Sequence, residues 1–165
     1  MKKLTIIILC LLATLAGFSQ KAKFGHVDYG ALMKEMPGID TAQQVLIEYQ
    51  KELEETGQQM VNEFKEKQAA YMQLTNSGAS SAILKVKEDE MMKLYERIQE
   101  FASISEQDLQ QKQLSLLQPF QDKLLEAIKK VASAGNYTYI FDISTLAFYS
   151  QSDDLTEAVK AQIKK

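Results

Sequence analysis

From Thr41 to Ala134 a single polar-and-apolar helical pattern runs almost unbroken, and Asn76-Ser-Gly-Ala-Ser80 is the only cluster of turn formers within it. Gly78 can adopt the left-handed backbone that a sharp reversal needs. The pattern therefore predicts a long antiparallel helical hairpin, with short strand-like segments before and after it. The fold class expected is α+β, mainly α: a helical tentacle on a small β-containing body. More than half of the chain then lies in two helices that offer no obvious pocket, a plan better suited to gripping a partner than to catalysis.

The first arm carries Val45, Tyr49, Leu53, Met60, Phe64 and Tyr71 at spacings of four and seven, one stripe along about 55 Å of helix. Asp40 is placed to cap its N-terminus, with Gln43 three positions on in a capping-box arrangement. Gly57 lies on the stripe and weakens the helix by about 1 kcal/mol relative to alanine. The return arm carries Leu84, Met91, Leu94, Ile98, Phe101 and Leu109, and Ser105 is the one polar break in the stripe. Folding about Gly78 sets Thr41 opposite a residue near Leu116. Pro119 then falls at the foot of the hairpin, where its ring and missing N–H would kink or restart the helix. Beyond it Leu124, Leu125, Ile128, Val131 and Ala132 form a wider apolar face, which Gly135-Asn136 ends.

Lys23 to Asp28 reads as a brief strand, and Tyr29 to Met36 as a short helix closed by Pro37-Gly38. The clearest strand signal is Tyr137-Thr-Tyr-Ile-Phe-Asp-Ile143, rich in aromatic and β-branched residues, with Tyr137, Tyr139, Phe141 and Ile143 on one side. Ser144-Thr145 is expected to turn it back into Leu146-Ala-Phe-Tyr149 as a hairpin. A last helix opens at Asp154, with Glu157 three residues on, and presents Leu155, Val159 and Ile163 on one face.

Met1-Lys2-Lys3, the apolar run from Leu4 to Leu15 and the small-x-small Gly17-Phe18-Ser19 have the form of a secretory signal peptide over residues 1–19, shorter than the ~20 apolar residues that span a bilayer. The remaining segments are body at 20–40, hairpin at 41–118 and body at 119–165. Cys10 is the only cysteine, so cleavage after Ser19 leaves neither disulfide nor thiol chemistry. The 19 bases less Lys2 and Lys3 leave 17 against 22 acids, about −5, which argues against nucleic acid as a partner. His26 is the sole histidine, Glu88-Asp89-Glu90 points in different directions around a helix, and no glycine-rich phosphate loop is present. Neither an enzyme nor a cofactor or metal site is expected. The body outside the hairpin is small, with open strand edges and apolar residues on both faces, and self-association would relieve both problems.

Leu124-Leu-Glu-Ala-Ile-Lys-Lys-Val-Ala-Ser133, Tyr139-Ile-Phe-Asp142, Leu146-Ala-Phe-Tyr149 and Asp154-Leu-Thr-Glu157 resemble the C-terminal half of the Skp/OmpH family of periplasmic chaperones. The strand and helix from Lys23 to Met33, the leader and the hairpin follow the same order. The resemblance implies a homotrimer with a shared β-barrel core and three tentacles around a cavity, in which unfolded outer-membrane proteins are held without ATP. On that basis Phe24, Val27, Ile140, Phe141, Ile143, Leu146, Phe148 and Tyr149 belong to the oligomerising body. Met60, Met72, Met91 and Met92 offer adaptable apolar surface for clients, against the plainer reading that they fill the hairpin seam. One departure concerns charge. The family's best-known members are strongly basic at the tentacle tips, which favours acidic membrane surfaces and lipopolysaccharide, whereas Lys51 to Lys112 holds 8 bases and 12 acids. That lipid behaviour is not expected to carry over. The alternative function is a coiled-coil structural or adaptor protein of the cell envelope.

Overall fold

The computed structural model describes residues 22–164. The segment read as a signal peptide lies outside them. The elements in order are β1 (Phe24–Val27), α1 (Tyr29–Lys34), α2 (Ile39–Asn76), α3 (Ser81–Gly135), β2 (Tyr139–Asp142) and α4 (Thr156–Ile163). Two 3₁₀ turns, Ile143–Thr145 and Gln151–Asp153, lie between β2 and α4. The chain divides into two compact units, Met33–Lys123 and the combination of the segments up to Leu32 and from Leu124 onward.

In the Met33–Lys123 unit, α2 and the greater part of α3 form the expected antiparallel hairpin. Gly78 has φ +74°, the left-handed value that makes the reversal inexpensive. Ser80 Oγ accepts the Ile83 N–H at 3.4 Å and so caps the returning helix. The register is fixed by facing pairs: Gly57 lies against Phe101, Phe64 and Tyr95 have ring centroids 6.2 Å apart, and the Lys112 ammonium sits 5.3 Å from the Tyr49 ring. The buried and part-buried positions recur at alternating intervals of three and four, through Ala42, Leu46, Tyr49 and Leu53 on one arm and Leu94, Ile98, Phe101 and Ser105 on the other. This averages the 3.5-residue period of a coiled-coil seam. Leu46 holds a seam position where the four-and-seven stripe had Val45, which is 37% exposed.

Two expectations for this unit are corrected. Helix α2 begins at Ile39, and its cap is Gly38 in a left-handed conformation (φ +87°) with no side-chain hydrogen bond, so Asp40 lies inside the first turn. The Pro37-Gly38 reversal is tight enough to start the helix at once and bury Ile39. Pro119 neither ends nor restarts α3, which continues through it. The neighbouring Leu116, Leu117 and Phe120 stay part-buried on either side of it.

The other unit centres on Val27, Leu32, Leu124, Ala127, Leu155 and Val159, with Leu124 and Val159 wholly buried. Helix α3 ends where Asn136 takes a left-handed φ of 53° and Tyr137 N–H bonds the Ala132 carbonyl at 2.9 Å. The strands pair in parallel, with Phe24 opposite Tyr139 and Val27 opposite Asp142. The hairpin expected between Tyr137–Ile143 and Leu146–Tyr149 does not form. Asp142 accepts the Ser144 N–H at 3.2 Å and its hydroxyl at 2.6 Å, while Thr145 Oγ donates to the Asp142 carbonyl at 2.7 Å. These local bonds curl the chain into a 3₁₀ turn. No glycine or asparagine is available there for the primed turns that two-residue hairpins use. Helix α4 starts at Thr156, two residues later than expected, with Asp154 accepting the Thr156 N–H at 2.9 Å.

Candidate functional site

Alternation along the two strands sends Phe24, His26, Tyr139 and Phe141 to one side of the parallel pair, and Gly25, Val27, Ile140 and Asp142 to the other. The second side is closely covered: a methyl group built on Gly25 would lie 2.6 Å from Leu155 Cδ1 and 3.1 Å from the Tyr137 ring. The first side carries three stacked aromatic rings. Phe24 and Tyr139 have centroids 5.8 Å apart, Phe24 and Phe141 6.3 Å, and Tyr139 and Phe141 6.1 Å. These rings remain 51%, 57% and 40% exposed for Phe24, Tyr139 and Phe141 respectively. Three rings stacked and left in water form a patch of the type that marks an interaction surface. Among the described residues β2 pairs with β1 alone.

Of the residues assigned to this body, Phe24 and Phe141 therefore meet in one exposed cluster. Val27 is buried on the opposite side, and Ile140, Ile143 and Leu146 are half-buried. Phe148 is 86% exposed and Tyr149 is 43% exposed. Tyr139 is the member that sequence reasoning left out, although its spacing of two from Phe141 already put it on the same side.

His26 anchors the segment that follows the first 3₁₀ turn. It is buried, its Nε2 lies 2.8 Å from the Ser150 carbonyl, and the Tyr149 ring rests 4.8 Å from its own. Nδ1 stands 3.9 Å from Asp154 Oδ1. The His26 carbonyl accepts the Leu155 N–H at 2.8 Å, so this one residue ties β1 to the start of α4. Burial pushes the Asp154 carboxyl up, but the Thr156 hydroxyl and N–H that donate to it, with His26 nearby, bring it below its ordinary value. Its surroundings are those of a structural tie, and no group of three metal-binding side chains occurs among the described residues.

On the hairpin the four methionines divide in two. Met60 and Met91 lie half-buried on the seam, whereas Met72 and Met92 point away from it at 60% and 56% exposure. Ile47, Val86, Tyr95, Ile104 and Leu114 are likewise half or more exposed, or nearly so. Some of the charges between these residues are paired along each helix: Lys85 with Asp89 at 3.0 Å, Lys87 with Glu90 at 2.9 Å, Lys51 with Glu55 at 3.5 Å. The Asp89 carboxylate raises the Lys85 ammonium, and the Lys87 ammonium lowers the Glu90 carboxyl. Exposed pairs of this kind add little stability and keep the arm soluble. Midway along the arm an apolar notch of about 310 Å³ opens between Leu53, Phe101 and Leu109, with Glu54 and Glu106 beside it. No described helix is long and apolar enough to cross a membrane.

Comparison with known proteins gives a consistent result. A family model described as outer membrane protein (OmpH-like) matches residues 23–163. The chaperone protein Skp of Yersinia enterocolitica is 28% identical over 146 residues, covering 88% of each chain. A crystal structure of an OmpH-like outer membrane chaperone from Caulobacter crescentus superposes with a TM-score of 0.72 over 88% of this chain and 86% of that one, at 10% identity, and so shares its fold. With the hairpin, the parallel strand pair and the family match running over nearly all the described residues, the chain belongs to the OmpH-like outer membrane protein family.

Proposed function

We propose that this protein is an ATP-independent periplasmic holdase that binds unfolded outer-membrane β-barrel proteins between helical tentacles and keeps them from aggregating. The observation that carries this reading is apolar surface in excess of what the hairpin seam uses. Leu53, Phe64, Met91 and Leu94 fill the seam, yet Ile47, Met72, Met92, Tyr95 and Leu114 remain at least half exposed among charged residues. A client of this class has alternating apolar residues and unpaired backbone until it reaches the membrane. Many weak contacts with adaptable side chains suit it, because the second and later contacts are intramolecular and each stays reversible. Release then needs no nucleotide, only an assembly site that outcompetes the sum.

The exposed Phe24, Tyr139 and Phe141 cluster and the edge of β2 that has no strand partner among the described residues support self-association through the body, as a homotrimer that would bring several arms around one client. Val27 and Ile140 support this surface from behind, and Ile143, Leu146, Phe148 and Tyr149 border it in sequence. The relationship to a chaperone protein Skp supports the same reading.

The test is native mass spectrometry of the purified protein, alone and after dilution of a urea-unfolded outer-membrane β-barrel into it without nucleotide. A trimer that acquires one client and keeps it soluble is the expected result. A trimer that leaves the barrel to aggregate would favour an envelope adaptor, and a monomer would remove the enclosed-client mechanism.

A further inference from the structure

The notch midway along the hairpin combines an apolar lining with an acid from each helix. Its apolar lining is Leu53, Phe101, Ala102 and Leu109, its volume is about 310 Å³, and Glu54 and Glu106 stand at its margin, one from each helix. Glu54 accepts a hydrogen bond from Gln50 at 2.8 Å, and neither glutamate has an ion-pair partner among the described residues. Nearby acids are Glu48, Glu52, Glu55 and Asp108, against Lys51 and Lys112. Both of these bases are engaged, Lys51 with Glu55 and Lys112 over the Tyr49 ring.

A second observation marks the same place. Ser105 lines the notch, and its Oγ is buried with no hydrogen-bond partner among the described residues. A helical serine hydroxyl ordinarily bonds to the carbonyl four residues back or to water. Leaving it unmade costs free energy, so the serine lowers the stability of the seam at this point. Leucine at this position would complete the stripe formed by Leu94, Ile98, Phe101 and Leu109.

We infer that this notch is a docking subsite for unfolded chain segments in which an aromatic or aliphatic side chain is flanked by lysine or arginine. The apolar side chain enters between Leu53, Phe101 and Leu109, and the flanking cations meet Glu54 and Glu106. The inference deepens the proposed function by naming the client segments that the arm selects, and it rests on that reading for its biological meaning alone. Charge complementarity identifies the occupant: two unpaired carboxylates on either side of an apolar notch repel acidic segments and attract basic ones.

The experiment measures fluorescence anisotropy of two labelled twelve-residue peptides titrated with the purified protein. They carry the same alternating phenylalanine and leucine residues, separated by lysine in one peptide and by glutamate in the other. The lysine peptide is expected to bind roughly tenfold more tightly at low salt, from two exposed charge contacts, with the preference shrinking as salt screens them. Glu54→Gln with Glu106→Gln should bring the ratio close to one while leaving the apolar contribution. Ser105→Leu should fill the notch, weaken both peptides, and raise the stability of the hairpin. A purely structural serine would not give that opposition of binding and stability.

Equal binding of the two peptides, or a lysine preference that survives the double substitution, overturns the inference. A fall in oligomer mass on Leu53→Lys with peptide binding intact would assign the notch to a second copy of the chain and overturn it as well. Suppression of barrel aggregation, measured in parallel, separates the two readings. Wild type that suppresses aggregation without a lysine preference retains the holdase and loses the subsite, and the converse retains the subsite and loses the holdase.

Discussion

Substituting alanine for glycine at two positions should move stability in opposite directions, and the structure gives the size of each effect. Gly57 is helical, and a methyl group there would lie 3.5 Å and 3.9 Å from Phe101 Cε1 and Cδ1, ordinary contact distances. Gly57→Ala therefore removes a helix-weakening glycine without a clash and should stabilise by about 0.5–1 kcal/mol. At Gly25 the same methyl group would meet Leu155 Cδ1 at 2.6 Å and two Tyr137 ring atoms at 3.1 Å. Leu155 is buried beside a backbone bond to His26, and Tyr137 is held by the Ala132 carbonyl and by the Lys23 ammonium 4.0 Å from its ring. Overpacking of this type costs about 1–3 kcal/mol. A stiffer unfolded chain offsets about 0.4–1 kcal/mol of that. Gly25→Ala should thus be less stable than wild type by about 0.5–2 kcal/mol and less stable than Gly57→Ala by about 1–3 kcal/mol. Urea unfolding followed by circular dichroism at one fixed protomer concentration measures the difference, since association shifts apparent stability. Two variants that change in the same direction, or a Gly25→Ala protein as stable as wild type, would refute the packing argument.

Leu124→Ala should cost about 2–5 kcal/mol, because Leu124 is wholly buried, and the same urea titration reads it. Phe141→Asp should be mild for the single chain, since the ring is 40% exposed, yet reduce the mass of any oligomer in native mass spectra; unchanged mass would exclude the aromatic cluster from the interface. Asp154 and Asp142 both titrate below their ordinary value of 3.8 in the folded protein, Asp142 because Ser144 donates to it. Such groups add stability that is complete above the unfolded value and lost as pH falls through the lower folded value. Asp154→Asn should accordingly lower the melting temperature at neutral pH and flatten its decline below about pH 4, which thermal unfolding across pH would show.

The hairpin was legible in the sequence because its information is local. Gly78 sits in the single turn cluster, and counting outward from it places Thr41 near Leu116, in keeping with the observed facing of Gly57 with Phe101 and Phe64 with Tyr95. Its details depended on phase. A 3.5-residue period admits Leu46 and excludes Val45, and it turns Met91 inward but Met92 outward. The body was legible in part. Phe24 and Phe141 could be assigned to strands from composition, but their parallel pairing joins segments 115 residues apart, which no local pattern encodes. The misread hairpin after Asp142 has a different cause. Aromatic and β-branched residues favoured a second strand, while Asp142, Ser144 and Thr145 hydrogen-bond their own backbone and win locally. The notch was visible only as Ser105 interrupting a stripe, and its two glutamates come from different helices.

The parallel pairing of β1 with β2 also sets an order of events during synthesis. The helical arms need only neighbours on either side of a short turn, so they can zip as soon as Gly78 and the start of α3 have emerged. The strand Phe24–Val27 has no such neighbour; its partner is near the end of the chain, and closing so long a loop is slow. Val27, Leu32 and the Phe24 ring therefore remain without their native neighbours until Tyr139–Asp142 is made. A nascent chain of this protein passes through an interval in which it exposes sticky segments of its own, and that interval ends only with the last few dozen residues. Truncation before Tyr139 would prolong it indefinitely, even though the whole hairpin would be present.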